Sequence, residues 1–195
     1  FQHEKERQKL GIPPLPLSPE QTEEVCQLLE NPQAEKGEIL LNLIKNRISP
    51  GVDPAAKVKA EWLAKVAKGE KTSPLLSKAE AIFLLGTMLG GYNVGPLLSL
   101  LEDEELGKNA AEALKEIILL YGGFETIAEM SKENSNARSV LVSLAKGEWF
   151  LSRPDFPEKF VLKVFKIDEE TNTDDLSPAK NAWSRPDIPL HALSM

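Results

Sequence analysis

Ser77-Lys78-Ala79-Glu80-Ala81-Ile82-Phe83-Leu84-Leu85-Gly86-Thr87-Met88-Leu89-Gly90-Gly91-Tyr92 is the stretch whose reading decides the fold. Ser77 with Glu80 three residues on is a capping box, in which a hydroxyl and a carboxylate satisfy the free amides of a helix start. The run behind it, predicted helical through Leu89, is apolar nearly all round: Ala81, Ile82, Leu84, Leu85 and Met88. Such a helix is covered on more than one side. Gly90-Gly91-Tyr92 ends it, and Val94 to Leu101 reads as a short return helix. Further on, Gly122-Gly123-Phe124 repeats the arrangement after another apolar helix. Helix pairs that recur in this way, with periods of roughly 34–47 residues, stack into α-solenoids. One motif seen twice points to a solenoid-like array without naming a repeat, and an irregular helical bundle is the competing arrangement.

The flanking sequence is helical in the same sense. Residues Phe1 to Leu10 suit a short polar helix, broken by Gly11-Ile12-Pro13-Pro14-Leu15-Pro16. Ser18-Pro19-Glu20-Gln21 combines a cap, a first-turn proline and a capping-box glutamine, predicting a helix to about Glu30. A second helix follows over about Lys36 to Arg47, and Asp53-Pro54 opens a third over about Ala55 to Lys68. There Val58, Trp62 and Val66 recur at helical spacing. Lys57, Lys59, Lys65 and Lys68 lie around its other sides, read as a solvated face with Glu61 pairing Lys65 across one turn. Glu102-Asp103-Glu104-Glu105 puts negative charge where a helix N-terminus favours it. The helix it opens carries Leu106, Ala110, Ala113, Leu114, Ile117, Ile118 and Tyr121 on one wide stripe. Two more helices, about Glu125 to Lys132 and Ala137 to Lys146, complete the helical part.

The period then changes. Phe160-Val161-Leu162-Lys163-Val164-Phe165-Lys166-Ile167 is rich in β-branched and aromatic residues and reads as the first strand. Arg153-Pro154-Asp155-Phe156-Pro157 marks the boundary, giving a helical domain over 1–157 and a second domain over 158–195. A single strand has no ladder partner and is not stable alone. The expectation is therefore that the chain is cut from a longer protein, or that Phe160 to Ile167 pairs with something outside it. The last stretch, Thr171-Asn172-Thr173-Asp174-Asp175-Leu176-Ser177-Pro178-Ala179 through Trp183-Ser184-Arg185-Pro186-Asp187 to Met195, is polar but retains large apolar groups. It reads as an ordered functional loop.

Composition excludes several classes. The net charge of −7 in 195 residues, with 30 acids against 23 bases, argues against general nucleic-acid binding, RNA included. The one cysteine, Cys26, cannot form an internal disulfide or hold an iron–sulfur cluster by itself, and its apolar helical setting reads as a buried small hydrophobe. No apolar run reaches the ~18 residues a membrane span needs, and no signal-peptide run opens the chain, so a cytoplasmic protein is expected. Gly90-Gly91 lacks the strand and helix that a nucleotide loop requires. No metal-ligand cluster or nucleophile triad is present.

Several segments carry a resemblance. Glu170-Thr171-Asn172-Thr173-Asp174-Asp175-Leu176-Ser177-Pro178-Ala179 and Ala182-Trp183-Ser184-Arg185-Pro186-Asp187-Ile188-Pro189-Leu190-His191-Ala192-Leu193 closely resemble the start of the swivelling domain of the aconitase B family. These are bacterial aconitate hydratases that also act as 2-methylisocitrate dehydratases. Asn46-Arg47, Pro50-Gly51-Val52-Asp53, Ala67-Lys68-Gly69-Glu70, Ser73-Pro74-Leu75-Leu76 and the Leu85 to Asn93 segment resemble that family's N-terminal HEAT-like domain. The resemblance implies a mainly α fold: a HEAT-like α-α superhelical array, then the first strand and loop of a truncated α/β swivelling domain. It also implies a parent iron–sulfur hydro-lyase of the tricarboxylic acid cycle, interconverting citrate and isocitrate with a [4Fe–4S] cluster whose cysteines and serine base lie outside this chain. The fragment itself would bind no cofactor and would be inactive alone. The implied partners are the remaining domains of the parent enzyme, a tricarboxylate substrate, and a second copy forming a homodimer through the helical domain, which is linked in that family to substrate channelling. Arg185 matches a family arginine that binds a substrate carboxylate, a role suited to a planar guanidinium fork. Asp174 resembles an acidic position that would hold Arg185 in place. The competing readings are a turn or cap role for Asp174 and an ion pair of Arg185 with Asp187. Ser177, before Pro178, reads as a turn residue, and His191 as a capping or packing residue.

Overall fold

A computed structural model describes residues 2–9, 14–152, 155–164, 166, 168 and 170–173. The chain divides into two units, Pro16–Trp149 and a second made of Phe1–Leu15 with Phe150–Met195.

In the first unit the helices begin where the caps put them. α2 (Pro19–Glu30) has the full capping box, with Ser18 accepting from the Gln21 amide and the Gln21 side chain accepting from the Ser18 amide. α3 (Gly37–Asn46) follows a 3-10 turn at Ala34–Lys36. α4 (Pro54–Lys68) is capped by Asp53, whose Oδ1 accepts from the Ala55 amide at 2.8 Å. α5 (Lys78–Gly86) has the second capping box. The Ser77 amide and hydroxyl both donate to Glu80, which holds that carboxyl below its ordinary range, the backbone bond contributing most. Then come α6 (Val94–Leu98), α7 (Gly107–Lys115), α8 (Gly123–Met130), and α9 (Ser135–Lys146), the last capped by Asn134. A short turn of helix, α10 (Glu148–Leu151), spans the point where the first unit ends at Trp149 and the second resumes at Phe150.

Packing follows chain order. α2 packs on α4, α4 on α5, α5 on α7 and α7 on α9, while α3 lies beside α2, α6 against α7 and α8, and α8 against α9. One core runs along this row, with Leu29, Ile44, Leu63, Leu85, Leu97, Leu101, Leu114, Ile127 and Val140 fully buried. At the α5–α7 crossing, a methyl on Gly86 would lie 3.0 Å from the Ala113 side chain, so two small residues let the helices approach closely. Buried Asn93 donates from Nδ2 to the Leu85 carbonyl at 2.7 Å, tying the end of α5 to the start of α6. Asn134 and Asn136 both donate to the Leu101 carbonyl at 3.0 Å.

Two helices end earlier than the apolar pattern predicts. α5 stops at Gly86 rather than Leu89, because the Thr87 hydroxyl takes the Leu84 carbonyl at 2.7 Å and the chain turns. α7 stops at Lys115 rather than Tyr121, and the following residues run out to a parallel β-bridge between Leu119 and Gly90. Ile117 and Leu120 are buried, but Ile118 and Tyr121, expected on the buried stripe, are exposed.

The second unit, taken by itself, holds α1 (Gln2–Lys9), which buries none of its residues. The Leu15 amide donates to His3 Nε2 at 3.1 Å. The strand expected over 160–167 is not formed among the described residues. Residues 160–164 carry no ladder, and Phe160, Val161, Leu162 and Val164 are exposed. The physical reason is the one the sequence supplies: a strand's amides need a neighbouring strand, and the described residues offer none. The rings of Phe156 and Phe160 lie 6.3 Å apart in a tilted pair.

Candidate functional site

Arg185, singled out for substrate contact, and Asp174, expected to hold it in place, lie outside the described residues, as do Ser177, Trp183 and His191. Cys26 is buried in α2, and its thiol is pushed up to about 12, mainly by desolvation and then by the charge of Glu30. A thiol so protonated is a poor ligand and nucleophile. The lysine face of α4 is only partly as expected: Lys57 and Lys65 are exposed, but Lys59 is buried and its charge is felt at Cys26. Glu61 pairs with Lys57 at 3.9 Å, one turn before it, rather than with the expected Lys65. Among the described residues no group of three or more His, Cys, Asp or Glu side chains is placed to hold a metal ion.

One polar cluster is built across sequence distance. Glu30, at the end of α2, accepts from Trp62 Nε1 on α4 at 3.0 Å and from Lys71 Nζ at 2.8 Å. The Lys71 hydrogen bond and, after a desolvation cost, the Trp62 bond hold the Glu30 carboxyl below its ordinary range. Every partner in it joins α2 to α4 and the loop behind, so it acts as a structural clamp.

The feature with the character of a recognition surface is the row of turns at one edge of the helical unit. The turn holding Gly51 meets the turn holding Gly91: a methyl on Gly91 would lie 3.1 Å from the Gly51 carbonyl oxygen and 3.3 Å from Val52 Cγ1. Gly90 in turn bridges Leu119, and a methyl there would overlap the Leu119 carbonyl oxygen. Each Gly-Gly pair is preceded by a residue in the left-handed region, Leu89 at φ 36° and Tyr121 at φ 49°. Bulky residues rarely adopt that backbone, and where they do, the strain is held by surrounding structure. The turns leave Val52, Leu89, Tyr92, Ile118, Leu119, Tyr121 and Phe124 exposed. Beside them Phe83 and Leu89 line a groove of about 620 Å³ between α5 and α7, with Glu112 and Glu116 on the α7 side. Sequence reasoning found both Gly-Gly turns but not this edge. The available signal was that a pattern of i, i+3, i+4 apolar positions cannot continue as helix into a double glycine.

This arrangement defines a class: a stacked helical unit offering an apolar edge, with no metal-holding group among its described residues. Comparison with known proteins gives the particular family. Residues 1–150 match the family model described as the aconitate B N-terminal domain, and residues 162–195 match the aconitate hydratase 2 N-terminus. The chain belongs to the aconitase B N-terminal domain family. It is 56% identical over 194 residues to aconitate hydratase B of Pseudomonas aeruginosa, 53% over 194 to that of Escherichia coli, and 50% over 195 to that of Synechocystis. Each match covers 99% of this chain and 22% of the relative, so the chain spans about a fifth of the length of the relatives it matches.

Proposed function

We propose that this chain is the N-terminal portion of an aconitate hydratase, a hydro-lyase interconverting citrate and isocitrate through cis-aconitate in the cytoplasm. The observation that carries this reading is 50–56% identity, across 99% of the chain, to proteins named aconitate hydratase B. In this reading residues 1–157 form a HEAT-like interaction and channelling domain, and 158–195 open the swivelling domain. Its first strand, 160–167, finds a ladder partner in the remaining polypeptide. The parent enzyme's [4Fe–4S] cluster would supply a Lewis acid. The residues of this chain do not fit such a cluster, since its one cysteine is buried and held protonated, so the cluster belongs to the remainder of the enzyme.

Arg185 is proposed to grip a substrate carboxylate with its fork, and Asp174 to hold Arg185 in position. The test is Arg185→Lys in the full-length enzyme. The charge stays but the fork is lost, costing roughly 1.5–3 kcal/mol for a charged hydrogen bond. The expected result is a fall in kcat/KM on the order of ten- to a hundredfold. A variant within about twofold of wild type would make Arg185 a structural residue.

The exposed turn edge favours a second reading, in which the helical unit is a protein–protein interaction module, including dimerisation, with no ligand site of its own. The two separate on direct titration of the chain with citrate: weak binding lost in Arg185→Ala supports the first, and none supports the second.

A further inference from the structure

We propose that the groove between α5 and α7 takes an amphipathic helix of a separate protein, its apolar face on Phe83 and its Lys or Arg side chains on Glu112 and Glu116. The inference rests on the interaction-module reading above and deepens it by naming the chemistry of the partner. Three observations carry it. α5 is apolar nearly all round, and such a helix is covered on more than one side. The unit itself covers Ala81, Ile82, Leu84 and Leu85, but leaves Phe83 68% exposed. The groove that Phe83 lines also has the shape of a helix seat. Each of its walls is a helix of 9 residues, about 13 Å long at 1.5 Å per residue, enough for anchors at i, i+4 and i+7 of an incoming helix. Its floor is low because Gly86 and Ala113 carry almost no side chain where the two helices cross.

The third observation is charge. The charged side chains lining the groove are Glu112 and Glu116, both exposed and both on the α7 side, while Phe83 stands on the α5 side. Lys115 already pairs with Glu112 at 2.7 Å, so Glu116 is the carboxylate that an incoming cation meets at lower cost. An occupant that answers both walls is apolar along one flank and cationic along the other. The same charge disfavours a second copy of this chain, since at −7 overall two copies repel one another.

The probe is a labelled synthetic helix with leucine on one face and lysine on the other, titrated into the full-length enzyme and read by fluorescence anisotropy. A second probe has glutamate at every lysine position. The lysine probe should bind saturably, and the glutamate probe about tenfold or more weakly. Phe83→Ala and Glu116→Lys should each weaken the lysine probe about tenfold or more. Glu104→Lys makes the same change of charge at an exposed position that does not line the groove, and should leave binding within about twofold. All three positions are exposed, so the variants should melt as wild type does. No saturable binding of the lysine probe would overturn the proposal. Phe83→Ala or Glu116→Lys binding like wild type would place the probe elsewhere, and an equal loss in Glu104→Lys would reduce it to attraction by net charge; either overturns it. Binding by the 195-residue chain but not by the full-length enzyme would assign the groove to the rest of the polypeptide. Affinity that falls as protein concentration rises would assign it to a second copy, and both results overturn it too. The citrate titration tests the underlying reading separately: if citrate does not bind the chain, the interaction reading stands and a failed probe sinks only the groove.

Discussion

In α5, Ile82, Leu84 and Leu85 are buried; in the stretch after α10, Val161 is 100% and Val164 87% exposed. Both segments are rich in large apolar residues, yet one is core and the other lies open. The difference is where the backbone hydrogen bonds go. A helix closes its own amides onto its own carbonyls, so α5 needs only apolar neighbours to bury its side chains. An extended segment leaves its amides and carbonyls waiting for another strand. Burial of an apolar side chain is therefore conditional on its backbone being satisfied first.

The largest expected effect sharpens this contrast. Leu85→Ala empties a fully buried site and should cost about 2–5 kcal/mol in urea unfolding of the chain, whereas Val161→Ala should shift stability by under about 0.5 kcal/mol. A Val161→Ala loss above about 1 kcal/mol would show that the extended segment is packed after all.

Next in size is a pair at the two Gly-Gly turns, where similar sequence meets different backbone. Gly90 has φ +115° and faces the Leu119 carbonyl, so Gly90→Ala should destabilise by about 1–3 kcal/mol. Gly122 has φ −66° and open space around it. Gly122→Ala should be neutral or stabilise by about 0.4–1 kcal/mol through the unfolded chain. Thermal melts of both variants decide it, and a common sign would mean the turns are alike.

The smallest effect lies at the α2–α4 joint. Glu30→Gln removes the charge that Lys71 and Trp62 bind, and the pair is part-exposed, so about 1 kcal/mol is expected. Because the folded carboxyl titrates below its ordinary value of 4.5, this stability is present above that pH. It is lost as pH falls through the lower folded value. Wild type and Glu30→Gln should therefore converge in acid, read by Trp62 fluorescence; a gap that persists there would mean the glutamine variant is simply mispacked.

Much of the helical unit was legible because its starts are local chemistry. Ser18, Asp53 and Ser77 each cap the helix they were assigned to, and a cap needs no knowledge of the rest of the fold. Helix ends were less legible. The periodicity of Ile117 to Tyr121 suits helix, but the bridge to Gly90, nearly thirty residues away in sequence, draws the chain out. Lys59 was misread for a related reason: pattern reading counts residue type, and only packing shows that α2 covers that side of α4. The expected roles of Arg185 and Asp174, which lie outside the described residues, rest on family resemblance alone, since one arginine and one carboxylate in a polar loop have many structural uses.

The row α2–α4–α5–α7–α9, each packed mainly on the next, also has a mechanical meaning. Links in series share a load but not a rupture. Pulled between Pro16 and Trp149, the unit should yield link by link, its extension trace showing steps instead of one break. A displacement imposed at one end should fade along the row, making the array a compliant spring between whatever is fastened to its two ends.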